Sequence, residues 1–291
     1  MFKGSIVALI TPFKKGEIDK VSFQRFIEWQ IKEGSNGLVP AGTTGESPTL
    51  NHYEHEEVIG LCVETAKKRV PVIAGTGSNS TDEAIQLTKF AEKIGADAAL
   101  VVTPYYNKPT QDGMYSHFKA INDNCKIPII IYNIPGRCIV DMNINTMLKL
   151  SKLKNIVGVK DASNDLSRPL LTSLNIGKKF CQLSGEDATL LPFLVQGGHG
   201  CISVTANIVP RLCSDLHESF FSNNFKKAYK INESLFPLNQ ALFNETSPGP
   251  VKFAASLMNF CTDECRLPLV KVSQNTKILI KKVMKQLKIK K

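Results

Sequence analysis

Eight short apolar runs constrain the fold of this 291-residue chain more than any other feature of its sequence. They are rich in Val, Ile and Leu and alternate little with polar residues, as is typical of parallel strands buried on both faces. The runs cover residues 4–13, 37–42, 70–74, 98–103, 128–132, 155–160, 180–184 and 200–205. Amphipathic stretches separate them, so the sequence predicts eight successive strand–helix units.

Two of the stretches between the runs show the helical pattern clearly. In residues 19–34, the apolar side chains Phe23, Phe26 and Ile27 fall on one helical face. Ser80 and Glu83, three residues apart, predict a capping box at the start of another helix. Eight such units favour a closed barrel over an open sheet, so we predict the α/β class and a (β/α)8 TIM barrel.

The last quarter of the chain has a different pattern. From about residue 225 onward no strand-like run occurs, and amphipathic helical patterns continue. The sequence therefore predicts a catalytic barrel over residues 1–224 and a C-terminal helical extension over 225–291, packed on the barrel.

Composition excludes several classes of protein. Hydrophobic residues make up 43% and charged residues 21% of the chain, which excludes intrinsic disorder. No apolar run reaches the roughly 18 residues that a membrane span needs. The first residues lead directly into a strand-like run without signal-peptide features, so we expect a cytoplasmic protein with no membrane partner.

The net charge of +10 is concentrated at the C-terminus. Residues 271–291 hold eight lysines and no acidic residue, and the remaining 28 basic and 26 acidic residues leave +2. We interpret this segment as the solvated face of a helix and expect no nucleic-acid partner. A catalytically silent barrel that binds nucleic acid through this lysine tail is the alternative of another class.

Cysteine and histidine spacing predicts neither disulfides nor a metal site. The eight cysteines lack a framework spacing, and a chain of this size without a signal peptide is expected to keep free thiols. Cys261 and Cys265 have no second pair nearby, and the His52–His55 spacing has no evident third ligand.

Lys160 is the most informative candidate for chemistry, because active sites of such barrels lie where strands end. It ends the apolar run 155–160, so its side chain is expected to leave an apolar wall. Burial disfavours the ammonium form, and a neutral amine attacks a ketone to form an imine. The alternative is a structural lysine paired with Asp161 or another acid.

Other polar side chains follow neighbouring strands. Tyr132 ends the strand before that of Lys160, and its phenol can give and take the protons that imine formation requires. Thr43 and Thr44 offer hydroxyls between two glycines, where backbone N–H groups can approach a carboxylate. Arg137 offers a planar fork for a second carboxylate, or is an ordinary surface arginine.

Several of these segments together resemble the dihydrodipicolinate synthase family, over residues 4–269. The segments are Gly42-Thr43-Thr44-Gly45-Glu46-Ser47, Thr103-Pro104-Tyr105-Tyr106-Asn107, Tyr132-Asn133-Ile134-Pro135-Gly136-Arg137, Gly158-Val159-Lys160 and Gly198-His199-Gly200-Cys201-Ile202-Ser203-Val204-Thr205. The threonine segment and the lysine are also typical of related pyruvate aldolases. N-acetylneuraminate lyase and 2-keto-3-deoxy sugar acid aldolases therefore stay as alternatives.

The resemblance implies a reaction and its site. Pyruvate forms an imine with Lys160, and its enamine attacks L-aspartate 4-semialdehyde to give 4-hydroxy-tetrahydrodipicolinate for lysine and diaminopimelate biosynthesis. Catalytic residues are then Lys160, Tyr132, Thr43 and Tyr106. Substrate-binding residues are Thr44, Arg137, Gly185 and Ile202. The resemblance implies no metal and no organic cofactor.

It also implies an assembly and a regulator. We expect a homotetramer, a dimer of dimers, in which Tyr106 reaches the neighbouring subunit's site. L-lysine is expected as an allosteric inhibitor, bound by Ser47, His52, His55, Asn79, Glu83 and Tyr105. One departure from the family pattern is Cys138-Ile139 after Arg137, where relatives usually carry Thr-Gly.

Overall fold

The structure is a computed structural model that describes residues 1–289. In chain order its strands are β1 (Gly4–Ala8), β2 (Phe13–Lys14), β3 (Glu17–Ile18), β4 (Gly37–Val39), β5 (Ile73–Gly75), β6 (Ala98–Val102), β7 (Ile129–Asn133), β8 (Ile156–Asp161), β9 (Cys181–Ser184) and β10 (Gly200–Ser203). Its helices are α1 (Lys20–Lys32), α2 (His52–Ala66), α3 (Thr81–Lys93), α4 (Gln111–Asn124), α5 (Pro135–Cys138), α6 (Ile144–Leu150), α7 (Arg168–Asn175), α8 (Leu190–Val195), α9 (Pro210–Phe221), α10 (Phe225–Leu242), α11 (Gly249–Leu257) and α12 (Gln274–Gln286).

The chain divides into two compact units. One unit contains residues 1–3 and 71–202, and the other contains residues 4–70 and the chain from 203 onward. In the first, β5 to β9 pair in parallel with their neighbours along the chain, and β10 pairs with β9. In the second, β1 pairs in parallel with β4. The eight-stranded sheet has the order β4-β1-β10-β9-β8-β7-β6-β5, the succession that the (β/α)8 prediction requires.

Apolar packing in the first unit explains why the predicted strands form. All five residues of β7 are buried, and Ile129 and Ile131 pack with Phe118 of α4 in one cluster of buried side chains. Each such side chain contributes roughly 1.5–3 kcal/mol when it is removed from water. Strands covered on both faces give the continuous apolar runs seen in the sequence.

The first predicted run is longer than the strand it contains. Strand β1 ends at Ala8, and β2 and β3 form a separate antiparallel hairpin. Lys15 and Gly16 at its turn have φ values of 56° and 84°, the left-handed pair of a type I′ turn. Pro12 lacks the N–H that a strand ladder needs, so the run 4–13 cannot stay one strand.

The capping interaction predicted for α3 is present only on one side. The Ser80 side chain accepts the Glu83 N–H at 3.5 Å. The Glu83 carboxylate accepts instead from the Ser78 hydroxyl, and that hydroxyl accepts the Ser80 N–H at 3.0 Å. A reciprocal capping box occurs instead at α2, between Asn51 and Glu54.

The C-terminal segment is helical, as expected. Helices α10, α11 and α12 follow residue 224, and no strand occurs in residues 225–289. Helix α12 buries Ile280, Val283 and Met284 and exposes Lys281 and Lys282, as predicted for a solvated lysine face. Lys290 and Lys291 of the lysine tail lie outside the described residues. The domain boundary at 224/225 stays a prediction.

All eight cysteines are free thiols in the structure. Burial raises the pKa of Cys261 to about 12 and that of Cys265 to about 11. Among residues 1–289, no group of three or more His, Cys, Asp or Glu side chains is arranged to hold a metal ion. None of the helices in this range is both long and apolar enough to cross a membrane.

Candidate active site

Two of the predicted catalytic residues lie side by side at the carboxyl ends of neighbouring strands. Tyr132 of β7 and Lys160 of β8 are register partners. The Lys160 Nζ atom lies 4.0 Å from the centroid of the Tyr132 ring. Each residue is only 6% exposed. The parallel register therefore holds an amine and a phenol together in a largely water-free position.

A glycine at the end of the next strand makes room for the lysine. Gly185 directly follows β9, whose Leu183 is the register partner of Lys160. A Cβ atom at Gly185 would lie 2.6 Å from the Ala162 Cβ and 3.2 Å from the Lys160 Cε. Both distances are shorter than ordinary packing allows, so a side chain here would force Ala162 to shift and would press against the stem of Lys160.

The contacts of Asp161 differ from those expected if Lys160 were a structural lysine paired with it. Its carboxylate accepts from Arg168 Nε of α7 at 2.8 Å and from the Ser163 N–H at 2.9 Å. Arg168 also donates to the Met142 carbonyl at 2.8 Å. Successive residues of a strand point to opposite faces, so Asp161 points away from the Lys160 side. Sequence reasoning missed Arg168, because its partner is set by how α7 packs.

A second residue that sequence reasoning missed is Glu186. It is half-buried beside Gly185, and burial together with the charge of Asp187 raises the pKa of its carboxyl group. The charges of Lys160 and Arg137 oppose that shift. Glu186 thus lies within the electrostatic reach of both predicted site cations. Its place two residues after the end of β9 was the one sequence signal that could have identified it.

Other predicted residues of this unit occupy different environments. Arg137 is exposed on the short helix α5, and Ile202 of β10 is fully buried. Tyr106, after β6, is 95% exposed and has a φ of 70°. A bulky residue rarely adopts this left-handed conformation.

Three residues of the predicted effector set lie together in the same unit. Tyr105 is half-buried, and burial and the Glu83 charge raise the pKa of its phenol. Its hydrogen bonds to the Ser78 hydroxyl and the Asn79 backbone lower the pKa. Asn107 Nδ2 donates to the Asn79 carbonyl at 2.8 Å. The structure therefore groups Asn79, Glu83 and Tyr105 around Ser78.

The second unit contains the threonine loop, residues 42–47. Thr44 is buried and Thr43 is half-buried. The Gly45 N–H donates to the Gly42 carbonyl at 3.0 Å, and the Gly45 carbonyl accepts from the Thr11 hydroxyl at 2.7 Å. A Cβ at Gly45 would lie 3.1 Å from the Leu9 carbonyl oxygen, which explains the small residue there.

The remaining effector candidates belong to this second unit. Ser47, the last residue of the threonine loop, begins the 3-10 turn Ser47–Thr49. His52 is exposed at the first residue of α2, and His55, one turn later, is buried.

A buried lysine beside a tyrosine at adjacent barrel-strand ends is the arrangement that a lyase of the imine-forming aldolase type requires. The chain matches the dihydrodipicolinate synthetase family over residues 1–287 and belongs to that family. The resemblance and the fold class inferred from the sequence are both confirmed.

Individual relatives agree over nearly their full length. The chain is 61% identical to the 4-hydroxy-tetrahydrodipicolinate synthase of Rhodospirillum centenum over 281 residues. These aligned residues cover 97% of each chain. The solved chloride-inhibited dihydrodipicolinate synthase of Acinetobacter baumannii, complexed with pyruvate, is 42% identical with a TM-score of 0.97 over 100% of each chain. The enzyme of Cyanidioschyzon merolae, solved with lysine bound, is 35% identical with a TM-score of 0.97 over 99% of each chain.

Proposed function

We propose that this protein condenses pyruvate with L-aspartate 4-semialdehyde to form 4-hydroxy-tetrahydrodipicolinate through an imine on Lys160. The observation that carries the proposal is the buried Lys160 amine 4.0 Å from the Tyr132 ring centroid. The relative from Rhodospirillum centenum bears the name of this activity, and the solved relative from Acinetobacter baumannii holds pyruvate.

The first stage forms the imine. The free amine of Lys160 attacks the C2 atom of pyruvate, and the carbonyl oxygen becomes the hydroxyl of a carbinolamine. The Tyr132 phenol supplies the proton with which this hydroxyl leaves as water, so a cationic imine remains. The backbone of Thr43 and Thr44 binds the pyruvate carboxylate, and Gly185 and Ile202 contact the substrate.

The second stage makes the carbon–carbon bond. Loss of a proton from C3 of the pyruvyl group gives an enamine, which attacks the aldehyde carbon of the second substrate, whose oxygen takes up a proton. Tyr132, Thr43 and Tyr106 relay these protons, and Arg137 binds the second carboxylate bidentately. The substrate's own amine then replaces Lys160 at the imine carbon, which closes the ring and returns the free lysine.

The chemistry requires no metal or organic cofactor on this proposal. The cationic imine takes the electron pair left by the C3 proton, so it acts as the electron sink. The reaction needs no oxidant or reductant, because its steps exchange only water, protons and amines. Imine formation releases water, and transimination releases the enzyme. The proposed partners are therefore the two substrates, L-lysine as inhibitor and further copies of the chain in a homotetramer. The cytoplasmic location stays a prediction.

The test compares the wild type with Lys160→Ala and with Lys154→Ala, an exposed lysine just before β8. Condensation is followed through a coupled reductase, and the pyruvate adduct is trapped with borohydride and located by mass spectrometry. We expect turnover and a Lys160 adduct in the wild type and in Lys154→Ala, and neither in Lys160→Ala. An adduct without turnover of L-aspartate 4-semialdehyde would indicate a sibling pyruvate aldolase. A wild type without any adduct would overturn the imine mechanism.

A further inference from the structure

Two fully buried charged side chains have no role in the proposed reaction. Glu46 of the threonine loop and Lys252 of α11 both have 0% exposed side chains, and Lys252 Nζ lies 2.6 Å from Glu46 Oε1. Removing two charges from water is costly, and a hydrophobic pair of similar size would often be as stable. The pair therefore calls for a reason other than overall stability.

Further contacts fix both members of the pair. The second carboxylate oxygen of Glu46, Oε2, accepts the Arg266 backbone N–H at 2.9 Å. The Lys252 ammonium lies 4.1 Å from the centroid of the Phe13 ring, and the Arg266 guanidinium lies 4.4 Å from the same centroid. The Glu46 carboxylate is thus bound through both oxygens, which fixes its position and orientation.

The backbone of Glu46 connects this anchor to the two threonines. Glu46 has a φ of 57°, a left-handed conformation that a non-glycine residue adopts only when its surroundings impose it. Its N–H donates to the Thr43 carbonyl at 3.1 Å, and its carbonyl accepts from the Thr49 hydroxyl at 3.1 Å. The side-chain anchor and the turn that contains Thr43 and Thr44 therefore form one rigid unit.

We propose that Glu46 and Lys252 are positioning residues, whose buried ion pair holds the threonine loop in the conformation that binds the pyruvate carboxylate. This inference rests on the proposed function, in which the Thr43 and Thr44 backbone binds that carboxylate. An ion pair fixes distance and direction more strictly than apolar packing does, and small displacements of a binding group weaken binding steeply.

The test uses Glu46→Gln, Lys252→Met and the double variant. Each single variant leaves one buried charge without its partner, so its melting temperature falls; the double variant removes both charges and regains stability. A positioning role predicts that the stable double variant still needs about tenfold more pyruvate for half-maximal adduct trapping and for half-maximal turnover. Its KM for L-aspartate 4-semialdehyde should change less than about twofold.

The matched control is Glu28→Gln. It removes a carboxylate charge in the same unit by breaking the Glu28–Arg69 ion pair, whose Oε1–Nη2 distance is 2.7 Å, and does not involve Glu46, Lys252 or Arg266. We expect this control to leave the KM for pyruvate unchanged and to change the melting temperature little, because an exposed ion pair contributes little to stability. A stable double variant with the wild-type KM for pyruvate, or a control with an equally raised KM, would overturn the positioning role. A wild type that traps no pyruvate would instead contradict the proposed function.

Discussion

At the scale of single residues, the geometry around Lys160 depends on the absence of a side chain at Gly185. We expect Gly185→Ala to reduce the rate of pyruvate adduct trapping about tenfold, because Ala162 must shift and the stem of Lys160 must give by a few tenths of an ångström, and a misplacement of about 1 Å can cost about 100-fold. The added methyl group would meet the Lys160 Cε and the Ala162 Cβ at 3.2 and 2.6 Å. The measurement is the trapping rate, by mass spectrometry, at saturating pyruvate.

Gly60→Ala supplies the control for that substitution. Gly60 lies inside α2, and a Cβ there meets no atom within 4 Å. It should trap pyruvate at the wild-type rate and be slightly more stable, because alanine favours a helix over glycine. Wild-type trapping by Gly185→Ala would show that the lysine stem has more freedom than the packing indicates.

Single residues also show where sequence reasoning reaches its limit. Lys160 and Tyr132 could be predicted, because each ends an apolar run and parallel strands end at one edge of a sheet. The environments of Arg168 and Glu186 could not, because they depend on contacts. Arg168 binds Asp161 only through the packing of α7, and the pKa of Glu186 rises because the fold buries it. Burial and partner choice are properties of the assembled chain.

At the scale of elements, strands were more predictable than their boundaries. Runs that are apolar on both faces identify buried parallel strands whatever surrounds them, and all eight are present. The β2–β3 hairpin was missed, because Phe13 extends the first apolar run. The left-handed φ values of Lys15 and Gly16 identify the hairpin turn, and they are known only from the folded backbone.

Tyr105, which follows β6, lies near Ser78 and Glu83 at the start of α3, and this polar cluster leads to a prediction about regulation. We propose that L-lysine inhibits the enzyme and that Glu83, beside Tyr105 and Ser78, binds its charged amine. Glu83→Gln should raise the half-inhibiting concentration of L-lysine at least about tenfold, since a hydrogen bond between two charged groups is lost. The measurement is condensation activity against L-lysine concentration.

Asp82→Asn is the matched change for this experiment, because Asp82 is the neighbouring acid and its side chain is exposed. It should keep the wild-type inhibition curve. Activity of the wild type that does not fall with added L-lysine would remove the effector site from the proposal, and equal effects of the two variants would remove Glu83 from it.

At the scale of the whole molecule, Tyr106 connects the single chain to its assembly. A tyrosine that is 95% exposed in a left-handed conformation is poorly explained within one chain. In the proposed homotetramer, Tyr106 completes the proton relay of a neighbouring subunit, so each site draws residues from two copies. Two inactive variants, Lys160→Ala and Tyr106→Phe, should then complement each other when mixed.

The activity expected of the mixture follows from how the subunits pair. In an equal mixture half of the subunit pairs contain both variants, and one of the two sites in each such pair is intact, so about a quarter of the wild-type activity should return. Mixing Lys160→Ala with Tyr132→Phe provides the control, because those two residues are register partners within one chain and no mixed pair regains both. The measurement is condensation activity after the two proteins are unfolded and refolded together. Equal activity in both mixtures would place Tyr106 in its own subunit's site, since only a shared site distinguishes the two pairs of variants.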